Sequence, residues 1–241
     1  MVQMFVSLTA QRTNFLSVGY TTAYLLCIAA FVFALICSAN VRITFSKYNK
    51  IGSRSGLTGA EVARRILDRN GLHNVQVMRI SGSLTDNYDP RTNIVSLSDS
   101  VYDSTSLAAI GVAAHECGHA VQHSTDYIPI KVRSAVFPLA RLGSSVYLIV
   151  FLLGLIFSFE PLVNAGIFMF LFVVLFQLVT LPVEFNASRR AMHTIRSEGL
   201  LAQDELYGAR RTLTAAAMTY VASLLVSFTQ LLRLLSYKNR R

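Results

Sequence analysis

Charge is what this chain has least of. Only 15 % of its 241 residues are Asp, Glu, Lys or Arg, where a soluble globular chain carries about 25 %. Hydrophobic residues make up 53 %. Charge is absent altogether over 13–41, 142–159, 161–183 and 212–232. Each run has the ~17–25 residues that a spanning helix needs. A soluble fold of this size has no use for four of them, so the deficit excludes an ordinary soluble domain. Cysteine is scarce too. Cys27, Cys37 and Cys117 do not make a disulfide framework. The first two read as small buried side chains. There is no repeat and no low-complexity tract. The net charge is +9, yet no basic stripe interleaved with aromatics accompanies it, so nucleic acid is not expected as a partner. None of the apolar runs carries an ionisable residue in its middle, as a transporter would require.

What is present is Val112-Ala113-Ala114-His115-Glu116-Cys117-Gly118-His119-Ala120-Val121-Gln122. It contains His-Glu-x-x-His among strong helix formers. Positions i and i+4 of a helix share one face. Two imidazoles so placed can hold one zinc at about 2.0–2.1 Å. Glu116, next to the first histidine, can reach a water on that zinc and act as general base. Such a site needs a third ligand.

The chain order supplies a candidate. The first run reads as an N-terminal anchor over roughly 15–39; it is too long for a signal-peptide core of about 7–15 residues. A polar segment comes next. Thr58-Gly59-Ala60-Glu61 is a capping box that opens a helix closed by Gly71. Residues 75–80 alternate like a strand, 88–91 read as a turn, and 93–98 read as a second strand, antiparallel to the first or nearby. The motif helix begins after Ser104 or Thr105. An amphipathic stretch, 127–141, leads into the second run, which turns near Glu160-Pro161 and returns through the third. The chain beyond that hairpin is therefore on the motif's side of the membrane. There it presents Glu184, with Pro182 near a helix break and Ala187, Ser188 and Ala191 continuing Glu184's helical face. Two His and one Glu, with water in the fourth place, make a catalytic zinc set. His123, about 80° off the His115 face, and His73 and His193 are weaker candidates.

Charge sets the orientation. Residues 42–141 and 189–211 carry seventeen Lys and Arg, against five on the other side. The excess puts the catalytic region in the cytoplasm. The basic C-terminus argues the other way if 212–232 spans, unless that run is re-entrant or packed against the others.

On Leu84-Thr85-Asp86-Asn87-Tyr88-Asp89-Pro90, Val95-Ser96-Leu97-Ser98, the motif helix, and Leu181-Pro182-Val183-Glu184-Phe185-Asn186-Ala187-Ser188-Arg189-Arg190-Ala191, nearly the whole chain resembles the YugP family of bacterial membrane zinc metallopeptidases. More distantly it is similar to HtpX and the CAAX prenyl proteases, gluzincins with a His pair, a membrane hairpin and a later Glu ligand. Those relatives carry Asp four residues after that Glu; here the residue is Ser188, whose hydroxyl can still orient a ligand. The resemblance implies zinc, peptide-bond hydrolysis and a bacterial inner membrane.

The expected fold is a mainly α membrane protein, with about four transmembrane helices and a small α+β zincin-like catalytic domain. Its parts are an anchor (1–41), a catalytic region (42–141), a transmembrane hairpin (142–183), a third-ligand helix (184–211) and a C-terminal spanning or re-entrant helix with a basic tail (212–241). The expected function is a zinc metalloendopeptidase acting on membrane proteins or membrane-proximal segments. His115, His119 and Glu184 are the metal ligands and Glu116 is the base. Arg189, Arg190, His193 and Tyr207 are candidates for a second oxyanion donor. The strand 93–98 is either an edge for an extended substrate or an ordinary sheet strand. Expected partners are protein or peptide substrates and the bilayer, with a membrane-protein partner or a homo-oligomer left open. The rival reading is a zinc-binding membrane scaffold with little hydrolysis. An intact Glu116 argues against it, since a structural zinc is closed by four protein ligands.

Overall fold

A computed structural model describes residues 19–238. The elements, in order, are α1 (Tyr20–Tyr48), α2 (Gly59–Arg69), β1 (Gln76–Ile80), β2 (Asn87–Asp89), β3 (Ile94–Ser98), α3 (Asp99–Tyr102), α4 (Leu107–Ser124), α5 (Ile128–Ile156), α6 (Glu160–Ser197) and α7 (Leu206–Lys238). Helices α1, α5, α6 and α7 are each long and apolar enough to cross a membrane. This is a mainly α membrane protein with a small α+β part. The part of the expected anchor before residue 19, with Arg12, Arg240 and Arg241, lies outside the described residues.

The chain forms two compact units. One comprises the chain up to Leu35, Ala135–Leu178 and the chain from Ala222. It is held by Phe151, Val163, Phe170, Val174 and Leu234, with Tyr147 tilted on Phe170 at 4.5 Å between centroids. Leu25, Phe31, Leu142, Ile149 and Phe168 point outward. Such side chains suit acyl chains, which are as apolar as they are.

The other unit, Ile36–Ser134 and Val179–Val221, holds the candidate site. Its core joins Val62, Ile66 and Leu67 of α2, Val95 and Leu97 of β3, Val101 of α3, Ile110, Ala113 and Cys117 of α4, and Ile195 of α6. Burying a side chain such as Leu67 fully contributes about 1.5–3 kcal/mol. The α2 capping box forms as expected: the Glu61 N–H donates to Thr58 Oγ1 at 3.2 Å and the Thr58 N–H to Glu61 Oε2 at 2.8 Å. At its other end Gly71, at φ 71°, donates to the Asp68 carbonyl, and Leu72 donates to that of Leu67. That pair of bonds is a Schellman motif.

Several sequence expectations change. The two strands read from the sequence pair parallel, not antiparallel: the sheet order is β1-β3-β2, with Val77 opposite Val95. Between them, β2 occupies part of the stretch read as a turn. It forms a hairpin with β3, Tyr88 opposite Val95, and so fills the antiparallel place at β3. Because β3 is central, its two edges are already paired, and it is an ordinary sheet strand rather than a substrate edge. The cap of α4 is Ser106, which accepts from the Ala109 N–H at 3.1 Å and donates to Asn49 Oδ1 at 2.6 Å. Neither Ser104 nor Thr105 takes that place. Finally, α6 runs unbroken through Pro182, and 127–141 is mostly part of α5. The hairpin turn lies at Phe157–Phe159, just before Glu160. Ser158 at φ 52° donates to Leu155, and Phe159 to Gly154. The run 212–232 lies within unbroken α7, which has no re-entrant break.

Candidate metal centre

His115 and His119 project from α4 one turn apart, with rings nearly perpendicular at 85° and centroids 4.8 Å apart. Glu184 comes from α6. Its Oε2 lies 3.3 Å from His115 Nε2 and 3.5 Å from His119 Nε2. The three residues offer ligand atoms that all lie within 4.8 Å of one another. The crossing of α4 and α6 is close because Gly118 has no side chain. A Cβ there would stand 2.9 Å from the Ala187 carbonyl oxygen.

The far side of each imidazole is engaged. His115 Nδ1 is 3.2 Å from Ser188 Oγ. His119 Nδ1 is 3.0 Å from Gln122 Oε1. Gln122 is itself fixed, donating through Nε2 to the Val183 carbonyl at 2.8 Å and to Asn186 Oδ1 at 3.0 Å. A neutral imidazole that donates through Nδ1 presents an Nε2 lone pair. Two lone pairs then face a carboxylate oxygen that is buried and has no hydrogen-bond partner. Three acceptors meeting without a donor repel one another unless a cation lies between them. This donor set fits zinc.

Glu116 stands beside the cluster and is buried. Burial pushes its carboxyl above the usual range, and the charges of Glu184 and Asp86 add to that, against the pull of both histidines. Asp86 accepts from the Ser98 N–H at 2.7 Å and from Ser98 Oγ at 3.0 Å. Burial still raises its carboxyl.

The weaker ligand candidates lie elsewhere. His123 tilts against Tyr88 at 5.7 Å, and His73 pairs with Asp68 at 3.0 Å. His193, Arg189 and Arg190 line a cavity bounded by α2, α4 and α6, and Tyr207 packs edge-on against Tyr48. The groups that face Glu184 are Arg133, with Nη1 3.5 Å from Oε1, and the phenol of Tyr220. Sequence reasoning did not single out either. The available signal for Tyr220 was a lone phenol in an apolar run, which amphipathic interface positions also produce. Cys117 is buried, its Sγ 3.5 Å from the Ala63 carbonyl. Burial raises its thiol, which makes it inert.

Residues 23–239 match a family model described as "Putative neutral zinc metallopeptidase". The chain is 47 % identical over 208 residues to a protein of Bacillus subtilis (strain 168) named "Putative membrane protease YugP". The match covers 86 % of this chain and 92 % of that relative. No solved structure matches the chain. With nearly its whole length matched, the chain belongs to the family described as "Putative neutral zinc metallopeptidase".

Proposed function

We propose that the protein hydrolyses peptide bonds in membrane proteins or membrane-proximal segments, as a zinc metalloendopeptidase of gluzincin type. His115, His119 and Glu184 would hold the metal and Glu116 would act as general base. The observation that carries this reading is the convergence of three ligand atoms within 4.8 Å beside a buried carboxyl that is not one of them. Zinc, when bound, supplies Lewis acidity that activates water and polarises a carbonyl. Glu116 takes the proton of the attacking water and returns it to the leaving amine. A carboxyl held above its usual range by burial is suited to both halves of that transfer. Arg133 and Tyr220 would donate to the charge that develops on the substrate oxygen. Ser188 and Gln122 keep the two imidazoles in their ligating tautomer.

The long apolar helices support substrates drawn from the bilayer. The excess of seventeen Lys and Arg against five supports a catalytic region on the cytoplasmic face of a bacterial inner membrane. Expected partners are protein or peptide substrates and the bilayer, with a membrane-protein partner or a second copy open, and no nucleic acid. Comparing the proteomes of cells carrying the wild type and Glu116→Gln tests the reading. Membrane proteins that accumulate intact only with the variant are the expected result; identical cleavage patterns at equal zinc content would sink it.

A further inference from the structure

About 100° round α4 from the His115–His119 face, Ala114 and Gly118 floor a cavity of about 370 Å³. Residues one position apart in a helix are separated by that angle. The α6 wall supplies Arg189, Arg190, His193 and Thr194. No acidic residue lines the cavity. Among the described residues, neither Arg189 nor His193 forms an ion pair with an acid. Arg189 and Arg190 therefore put positive charge on this wall without local neutralisation, and His193, one turn from Arg189, adds a ring nitrogen beside it. Arg190 is different in one respect. Its Nε donates to Asn186 Oδ1 at 2.8 Å, which leaves its two terminal nitrogens on a side chain already held in place. A pre-set guanidinium fork recognises planar and tetrahedral oxyanions well, because less freedom is lost on binding.

The position along α6 adds a second argument. Arg189 lies six residues past 183, where the uncharged run of this helix ends. At about 1.5 Å per residue, that is roughly 9 Å along the axis. Headgroups extend about 5–8 Å beyond the hydrocarbon on each side. An apolar floor with a cationic wall close to that depth suits a phosphate group carried at the end of an apolar chain.

We propose that this cavity binds a phosphate-type oxyanion, either a phospholipid headgroup or a free phosphate, through Arg189, Arg190 and His193. The site is separate from the peptidase reading, since binding is read on the metal-free chain and requires no hydrolysis. Arg190 is left unchanged in the test, because its bond to Asn186 leads on to Gln122 and His119.

The test uses the full chain, purified metal-free in an uncharged detergent and phosphate-free buffer, with Tm as the readout. Dioctanoyl phosphatidic acid and inorganic phosphate are titrated separately, and potassium chloride at matched ionic strength controls for screening. A saturable rise in Tm with one or both phosphate probes, absent with chloride, is expected. A rise with phosphatidic acid alone identifies a headgroup site; a rise with inorganic phosphate as well identifies a site for which the anion suffices. Arg189→Gln and His193→Gln are each expected to raise the half-saturating concentration about tenfold, the loss of one charge-assisted bond. Both should leave the Tm of the anion-free chain within a degree or two of wild type. No saturable shift with either probe would overturn the proposal. So would a wild-type titration in the double variant Arg189→Gln/His193→Gln.

Discussion

At the scale of single residues, the candidate site is explained by what each atom has for a neighbour. Glu184 Oε2 is buried without a hydrogen bond, while both imidazoles are engaged on their far sides. Gln122 is the most demanding of these supports, because it faces His119, Val183 and Asn186 at once. Gln122→Leu is therefore expected to weaken zinc binding about 10–100-fold, the usual cost of losing a group that orients a ligand. Competition against a chelator of known affinity measures this, and unchanged affinity would remove Gln122 from the account. Glu116 makes a prediction about pH. Its carboxyl is held above the ordinary value of about 4.3, chiefly by burial. A general base must be ionised, so kcat/KM falls as pH drops through the raised value, and rises towards its plateau above it. The acid limb of the profile is expected above pH ~4.3; a limb at or below that value contradicts the role. The His pair and Glu116 were legible because helical spacing is local information. Arg133 and Tyr220 were not, since they meet Glu184 only through tertiary packing across many residues.

At the scale of elements, the crossing of α4 and α6 decides whether the two halves of the site meet. Gly118 lets α4 approach the backbone of Ala187, three residues beyond Glu184. In Gly118→Ala, the added methyl would stand 2.9 Å from the Ala187 carbonyl oxygen and 3.3 Å from its Cα. Backbone cannot swing aside as a side chain can, so the helices must separate by some tenths of an ångström. The expected cost is about 1–3 kcal/mol of stability, together with a larger relative loss of zinc affinity, read by thermal melting and chelator competition. A variant with wild-type zinc affinity would show that this approach does not set the ligand geometry. Several elements could be read from sequence by local rules. Thr58 and Glu61 satisfy each other's neighbourhood three residues apart, and Gly71 occupies a left-handed position that suits glycine. Elsewhere long-range bonds decided the outcome. Ser104 and Thr105 read locally as caps for α4, but Ser106 takes the place, and its bond to Asn49 is invisible to local patterning. The parallel pairing of β1 with β3 was hidden because three-residue β2 is too short to announce itself. Pro182 lies within α6 although Pro removes one backbone donor; apolar spans tolerate this when neighbouring groups satisfy the freed carbonyl.

At the scale of the whole molecule, four long apolar helices accompany a small polar α+β part, and His119 and Glu184 are separated by 64 residues of chain that include the hairpin. The proposed topology has the polar unit inside and the hairpin turn outside. Single cysteines at Ser55 and Ser158, both exposed, test it in a background lacking Cys27, Cys37 and Cys117. In intact cells a membrane-impermeant thiol reagent is expected to label Ser158→Cys, and to label Ser55→Cys only after permeabilisation. The reverse pattern would invert the orientation without touching the chemistry. The central claim is that three residues from two helices hold a zinc which a fourth residue uses. Metal content and cleavage of a membrane substrate, measured together on purified wild type, Glu184→Gln and Glu116→Gln, test it most directly. The account predicts one zinc per chain with hydrolysis in wild type, loss of both in Glu184→Gln, and retained zinc without hydrolysis in Glu116→Gln. Wild-type zinc affinity in Glu184→Gln, or wild-type cleavage by Glu116→Gln, would contradict it.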